Sequence, residues 1–305
     1  MTITLSRRTA LAGLGLLCST TALAACSGGA SGDRLKVVII SKSYQNQFYQ
    51  AAFKGAKDAA DKLSVDLETN GPDAESNVSQ QVEQLAAAVN QHPDAIALAA
   101  SQPDAVQDAL VNAKSQSIPV IGFDSGVPGD ASGAVVATAT TDNVAAGGNV
   151  ATNLAANEAF KAAVGAGTTS APAVIGVLAQ DSTSGSIVQR VNGFVDTLVA
   201  ELEKISGLAG AVDVSGQQQW TKPSASPAKA KIVVTVPPTT SQADIQSAAA
   251  SILGTSGLVA MFAANQDGVN GVISATNDAT DLDRASGKYK DLLVAINPST
   301  SSVGL

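Results

Sequence analysis

The residues best able to do chemistry in this chain are polar and come in short clusters, each directly after an apolar run. They are Ser41-Lys42 followed by Asn46, Phe48 and Tyr49; Asp124-Ser125; Thr141-Asp142-Asn143; Gln180-Asp181; Asn265-Gln266-Asp267; and Asn297. Carboxylates accept hydrogen bonds from hydroxyl groups, whereas Asn and Gln both donate and accept, so the set suits recognition of a polyhydroxylated solute. Phe48 and Tyr49 add aromatic faces that can cover the apolar C–H side of such a molecule. Each polar residue also has a local reading as a cap or turn former, and Asn143 and Asp267 both stand where a helix could start. The whole ring of them, more than any one member, points to a ligand.

Catalysis finds little support. The single histidine, His92, lies in Gln91-His92-Pro93-Asp94 just ahead of an apolar run, at the opposite end of that run from the polar clusters. No Gly-x-Ser-x-Gly elbow, Walker loop or His-Glu-x-x-His pair occurs. Gly13-x-Gly15 and Gly165-Ala166-Gly167 lack the context of a nucleotide fingerprint. Lys42 has three readings: a Schiff-base lysine, an anchor for an anionic ligand, or an ordinary solvated lysine. Asp181, Asp267 and Asn297 offer oxygen ligands without the dense spacing of a calcium loop. The expectation is a binding protein with no catalytic residue, cofactor or metal.

The elements that must position these residues alternate. Short runs rich in Val, Ile, Leu and Ala predict strands at Leu35–Ile40, Ser64–Glu68, Ala95–Ala99, Ile118–Phe123, Val135–Ala139, Ala173–Ala179, Lys231–Val236, Leu258–Ala263 and Leu292–Ile296. Between them apolar residues recur at helical spacing, most clearly from Ser186 to Ile205, where Ile187, Val191, Phe194, Val195, Leu198, Leu202 and Ile205 share one face. Strand–helix alternation with near-continuously apolar strands predicts parallel sheets covered on both faces and joined by right-handed crossovers. Nine strands exceed one ordinary sheet. A break near Thr140–Asn143 gives two similar α/β lobes, 35–141 and 142–305, joined by a hinge. Ligands bind beyond the carboxyl ends of strands in such sheets, which is where the polar clusters lie. The stretch from Ser215 to Ala230, with Trp220, two prolines and three consecutive glutamines, predicts a loop.

Composition and the N-terminus set the surroundings. Aromatic residues make up 3% and charged residues 14% of the 305, so burial must come mainly from aliphatic side chains on regular elements. A net charge of −8 without a basic stripe argues against nucleic acid as a partner. Arg7-Arg8, the apolar run Ala10 to Leu17 and then Leu23-Ala24-Ala25-Cys26 read as a lipoprotein signal peptide over 1–25; Ser19-Thr20-Thr21 interrupts the run, against a membrane span. Cys26 then becomes the lipidated N-terminus of a tether over 26–34 rich in Gly, Ser and Ala. Ser6-Arg7-Arg8-Thr9-Ala10-Leu11 also resembles a twin-arginine signal, with Ala10 where Phe is usual, and the export route stays open. With Cys18 removed and Cys26 acylated, no thiol is left for a disulfide or a metal.

Several segments in order resemble the periplasmic sugar-binding proteins of the ribose-binding type. They are Asn46-Gln47-Phe48-Tyr49 leading to Gly55-Ala56, the Ile118 to Ser125 stretch, Thr141-Asp142-Asn143 with Ala146-Gly147, Arg190 with Gly193-Phe194, and Phe262-Ala263-Ala264-Asn265. The resemblance runs from about Leu35 to Asn297. It implies a type I periplasmic binding protein fold of two Rossmann-like lobes, a small sugar as ligand, an ABC permease as membrane partner, and a monomer. By position it implies that Asn46 hydrogen-bonds the ligand, that Phe48 and Tyr49 cover one face, and that Asp124 takes paired hydroxyls. Thr141 and Asn143 fall at the lobe crossing, Trp220 at an aromatic stacking position, and Asn265 and Asn297 at polar contacts of the second lobe. Val188 stands where ribose binders carry an Arg, Asn297 replaces an Asp, and Ala99 replaces an Asn, so the resemblance does not extend to ribose itself. Family members continue past the position of Leu305 with another βα unit and a returning helix, which implies a C-terminally truncated chain. The same fold serves extracellular sensors for autoinducers or nucleosides; a transcription regulator would need a DNA-reading motif before Leu35, where this chain has an export signal.

Overall fold

The structure, a computed structural model, describes residues 34–296; residues 1–25, expected to be a signal segment, Cys26 and Asn297 lie outside the described residues. The first lobe is built on β1 (Lys36–Ile40), β2 (Asp66–Asn70), β3 (Ala95–Leu98), β4 (Val120–Phe123) and β5 (Val135–Ala139), in the spatial order β2-β1-β3-β4-β5. The second is built on β6 (Ala173–Leu178), β7 (Val212–Gly216), β8 (Ala230–Thr235), β9 (Leu258–Ala263) and β10 (Leu293–Ile296), in the order β10-β9-β6-β8-β7. Every strand pairing is parallel. Helices α1 (Gln47–Leu63), α2 (Val78–Asn90) and α3 (Gln107–Ser115) belong to the first half of the chain; α4 (Asn143–Ala156), α5 (Glu158–Gly165), α6 (Gly185–Leu202), α7 (Gln242–Leu253) and α8 (Gln266–Ala275) belong to the second.

Burial explains the pattern. The central strand β6, Ala-Val-Ile-Gly-Val-Leu, is buried at all six positions, as a strand covered by helices on both faces must be. Along α6 the predicted stripe Ile187, Val191, Phe194, Val195, Leu198 and Leu202 is buried, and Phe194 stacks on Phe262 of β9 with ring centroids 4.1 Å apart. The helix stops at Leu202, short of the predicted Ile205, which still packs against the core from the following turn. Helices α4 and α6 cross closely through two glycines. A Cβ on Gly147 would sit 2.0 Å from the Arg190 carbonyl oxygen, and one on Gly193 would sit 2.0 Å from that of Val144.

All nine predicted strands are present, with ends displaced by at most two residues. The tenth, β7, is not among the predicted strands; it starts three residues before the stretch read as a loop and takes in the first two residues of that stretch, Ser215 and Gly216. Its outer edge is tied by the reciprocal backbone bonds Val214 N–H to Lys222 O (2.8 Å) and Lys222 N–H to Val214 O (2.9 Å), which cover an otherwise open edge. Gly216 ends it at φ +98°, where a Cβ would meet Val234 O at 2.1 Å.

Candidate functional site

The strand ends of the two sheets face one another and line a common cavity of about 130 Å³. From the first lobe come Lys42, Asn46, Phe48 and Tyr49 after β1, Glu75 after β2, and Asp124 after β4; Thr141 comes from the crossing between β5 and α4. Ser186, Ile187 and Arg190 of α6 and Asn265, Gln266 and Asp267 at the start of α8 complete the lining.

Local rules place each group. The Asn46 side-chain oxygen accepts from Phe48 N–H at 2.9 Å and caps α1. A backbone N–H can only donate, so the oxygen of this amide is the atom facing the helix, and its nitrogen is left to donate to Asp267 Oδ2 at 3.0 Å in the other lobe. Asn265 repeats the device: its oxygen accepts from Gly268 N–H at 3.0 Å and caps α8, while its nitrogen donates to Gln180 Oε1. Asp124 sits at φ +52° in the turn after β4, a conformation that Asp tolerates. Its Oδ2 accepts from Tyr49 O–H at 2.7 Å and from Ser125 O–H at 3.2 Å. The Tyr49 ring stands edge-on to both Phe48 and Phe123, and Phe48 remains 43% exposed.

A buried charge cluster crosses the cavity. Lys42, 4% exposed, reaches Glu75 Oε2 at 3.4 Å and Asp124 Oδ2 at 3.7 Å, and donates to Ser184 Oγ in the second lobe at 2.9 Å. Burial acts against its charge, but Glu75, Asp124 and Asp181 outweigh that, and its pKa is raised. The Lys42 ammonium is therefore charged and fixed, which sets aside the solvated reading. One lysine serves several carboxylates, and burial pushes the Glu75 carboxyl up to about 7, against the pull of Lys42 and with Asp267, Asp181 and Asp124 adding to the rise. Burial also raises Asp267, and it raises Tyr49 well above its ordinary value with help from Asp124. Among the described residues no group of three or more His, Cys, Asp and Glu side chains is arranged to hold a metal ion.

Of the residues predicted to contact a ligand, Asn46, Phe48, Tyr49, Asp124, Thr141 and Asn265 line the cavity together. Asn143 does not line it: 2% exposed, it accepts from Arg190 Nη2 at 2.6 Å, and the cap of α4 is Asp142 instead. Trp220 does not line it either. It is 3% exposed in the core of the second lobe, with its indole N–H donating to Asn192 Oδ1 at 2.7 Å. It comes in the turn Gln218–Trp220 four residues after the carboxyl end of β7, and its ring turns into the core of the lobe instead of into the cavity. Asn297 is outside the described residues. Glu75 escapes sequence reasoning, because it follows Asp66–Asn70, the most polar strand, through a Gly-Pro turn.

Comparison with known proteins agrees with this geometry. A solved ABC transporter protein from Brachyspira murdochii, described as a LacI family transcriptional regulator, is 28% identical; the match covers 86% of this chain and 76% of that one, at a TM-score of 0.65. An ABC transporter solute-binding protein from Agrobacterium vitis with bound D-fucose is 27% identical, over 80% and 72% of the two chains, at 0.62. A carbohydrate transporter solute-binding protein from Agrobacterium radiobacter in complex with D-arabinose, 23% identical over 87% and 76% at 0.63, shares the fold. Residues 37–288 match the model of the periplasmic binding protein domain, and the chain belongs to that family.

Proposed function

We propose that this chain is an extracytoplasmic solute-binding lipoprotein that captures a monosaccharide or similar small polyol for an ABC importer. The observation that carries the reading is the cavity itself: both sheets present strand tips to it, and hydroxyl-matching carboxylates and amides surround the Phe48–Tyr49 pair. At roughly 10–15 Å³ for each water-sized group, 130 Å³ holds on the order of ten non-hydrogen atoms, the size of a pentose or hexose. Asp124, with Lys42 and Tyr49 fixing its carboxylate, is the acceptor for paired hydroxyls, and Phe48 offers the ring face. The relatives with D-fucose and D-arabinose bound support the same ligand class. Anchoring through Cys26 and recognition by a permease rest on the export signal and on the family. Among the described residues no helix is long and apolar enough to cross a membrane.

Calorimetric titration of the full chain with pentoses, hexoses and sugar alcohols tests this. At least one is expected to bind tightly, and Asp124→Ala is expected to weaken it by about 1.5–3 kcal/mol, the worth of a charge-assisted hydrogen bond. Silence across the panel, or full affinity in the variant, would overturn the reading.

A further inference from the structure

The cleft contains a second compartment on the far side of Glu75. It is about 300 Å³ and, like the first, takes lining from both lobes: the start of α2 and the tip of β3 on one side, the tips of β6 and β8 on the other. Glu75 lines both compartments, and the wall between them is held by its carboxylate, which accepts from Gln180 Nε2 at 3.2 Å and pairs with Lys42.

Ser101 lines this second compartment and is 5% exposed, and its hydroxyl has no hydrogen-bond partner. Its position is not loose. The Ser101 N–H donates to Gln81 Oε1 at 2.9 Å, and the fully buried Gln81 amide donates in turn to Ser41 O (2.7 Å) and Ala99 O (2.9 Å), tying the tips of β1 and β3 together. The backbone is thus pinned while the hydroxyl is left over, and a buried hydroxyl without a partner is costly unless something in the cavity bonds to it. The same compartment is lined by Gln102, Gln180, Thr183 and Thr240, with Pro237 giving apolar surface. No lysine, arginine or aromatic ring lines the compartment. Its carboxylates are already engaged: Glu75 by Lys42, and Asp181 by the N–H groups of Thr183 (2.9 Å) and Ser184 (2.6 Å).

We propose that this compartment binds a second neutral polyhydroxyl unit beside the one at Asp124. Hydroxyl and amide groups without a free cation select an uncharged, donor-rich group and disfavour an anion, and the lining offers partners on both lobes. The unit is either the second ring of one saccharide or a separate small molecule, and stoichiometry separates the two sources. The proposal rests on the saccharide reading of the cleft.

The test titrates the full chain with D-glucose, D-galactose and D-xylose against maltose, lactose and xylobiose, using wild type, Ser101→Ala and Thr240→Val. A two-ring ligand appears as one site that binds a disaccharide more tightly than its monosaccharide, with roughly tenfold of that gain lost in Ser101→Ala. A separate molecule appears as two monosaccharide sites, of which only the weaker responds to the variants. Thr240 is partly exposed, so its variant guards against a folding defect at Ser101. One monosaccharide site, no disaccharide gain and no effect of either variant would overturn the second compartment and leave the first standing. Silence of all six sugars in wild type would overturn both.

Discussion

Asn46 and Asn265 show why single residues at strand tips resist reading. Their types suit both helix capping and ligand recognition, and the structure does not choose: one amide atom serves the helix and the other faces the opposite lobe or its neighbour. Glu75 carries the sharpest expectation at this scale. Its carboxyl titrates near 7 in the folded chain, against an ordinary value near 4.5, so the folded state holds its proton more tightly than the unfolded state does. Stability from this group is then fully present below about pH 4.5 and is lost as pH rises towards 7, after which it levels off. Glu75→Gln, which cannot ionise, is expected to match wild type near pH 4.5 and to gain on it steadily up to pH 7.5, read as the difference in melting temperature across that range. A pH-independent difference would place the titration elsewhere. The polar clusters after β1, β4 and β9 were legible because strands ended abruptly into Asn, Asp and Lys; the pairing of Lys42 with Glu75, 33 positions away, was not, since only the side-by-side placement of β1 and β2 brings them together.

At the scale of elements, apolar runs and helical stripes were enough to locate nine strands and α6, because buried parallel strands leave few polar interruptions. β7 was hidden for the opposite reason: Val-Asp-Val-Ser-Gly is a half-polar edge strand ending in glycine, followed by Gln and Trp that read as loop. Trp220, four residues past the carboxyl end of β7, is packed into the core of the lobe. Trp220→Ala is expected to cost about 3–5 kcal/mol of stability, as large aromatic truncations do, while leaving ligand affinity unchanged once folded; a binding loss without a drop in denaturation midpoint would show otherwise. The α4–α6 crossing makes a second demand. Gly193→Ala adds helix propensity worth at most ~1 kcal/mol, but its Cβ meets the Val144 carbonyl, a backbone atom that no rotamer change can move. The clash wins, and a net loss of about 1–3 kcal/mol is expected in denaturant unfolding.

The whole molecule depends on how the two lobes meet. Direct bonds join them around the cavity: Asn46 to Asp267, Lys42 to Ser184, Gln180 to Glu75, and the Ser125 hydroxyl to those of Ser184 and Ser186 at 3.1 Å each. A ligand touching both lobes adds to these contacts, so it can shift an open–closed equilibrium only by its differential affinity for the closed arrangement. Asn46→Asp isolates the contribution of one bond. Aspartate caps a helix as well as asparagine does, so α1 keeps its cap. Across the cleft, however, a donor is replaced by a carboxylate 3 Å-scale close to Asp267, roughly the separation of Asn46 Nδ2 and Asp267 Oδ2 (3.0 Å), and like charges at that range repel in a partly buried site. The variant is expected to populate the open arrangement more, with a larger radius of gyration than wild type by small-angle scattering at pH 8. The difference should shrink as acid protonates Asp267, whose carboxyl is already raised by burial. An unchanged radius at both pH values would mean that the remaining cross-lobe bonds hold the lobes together without Asn46.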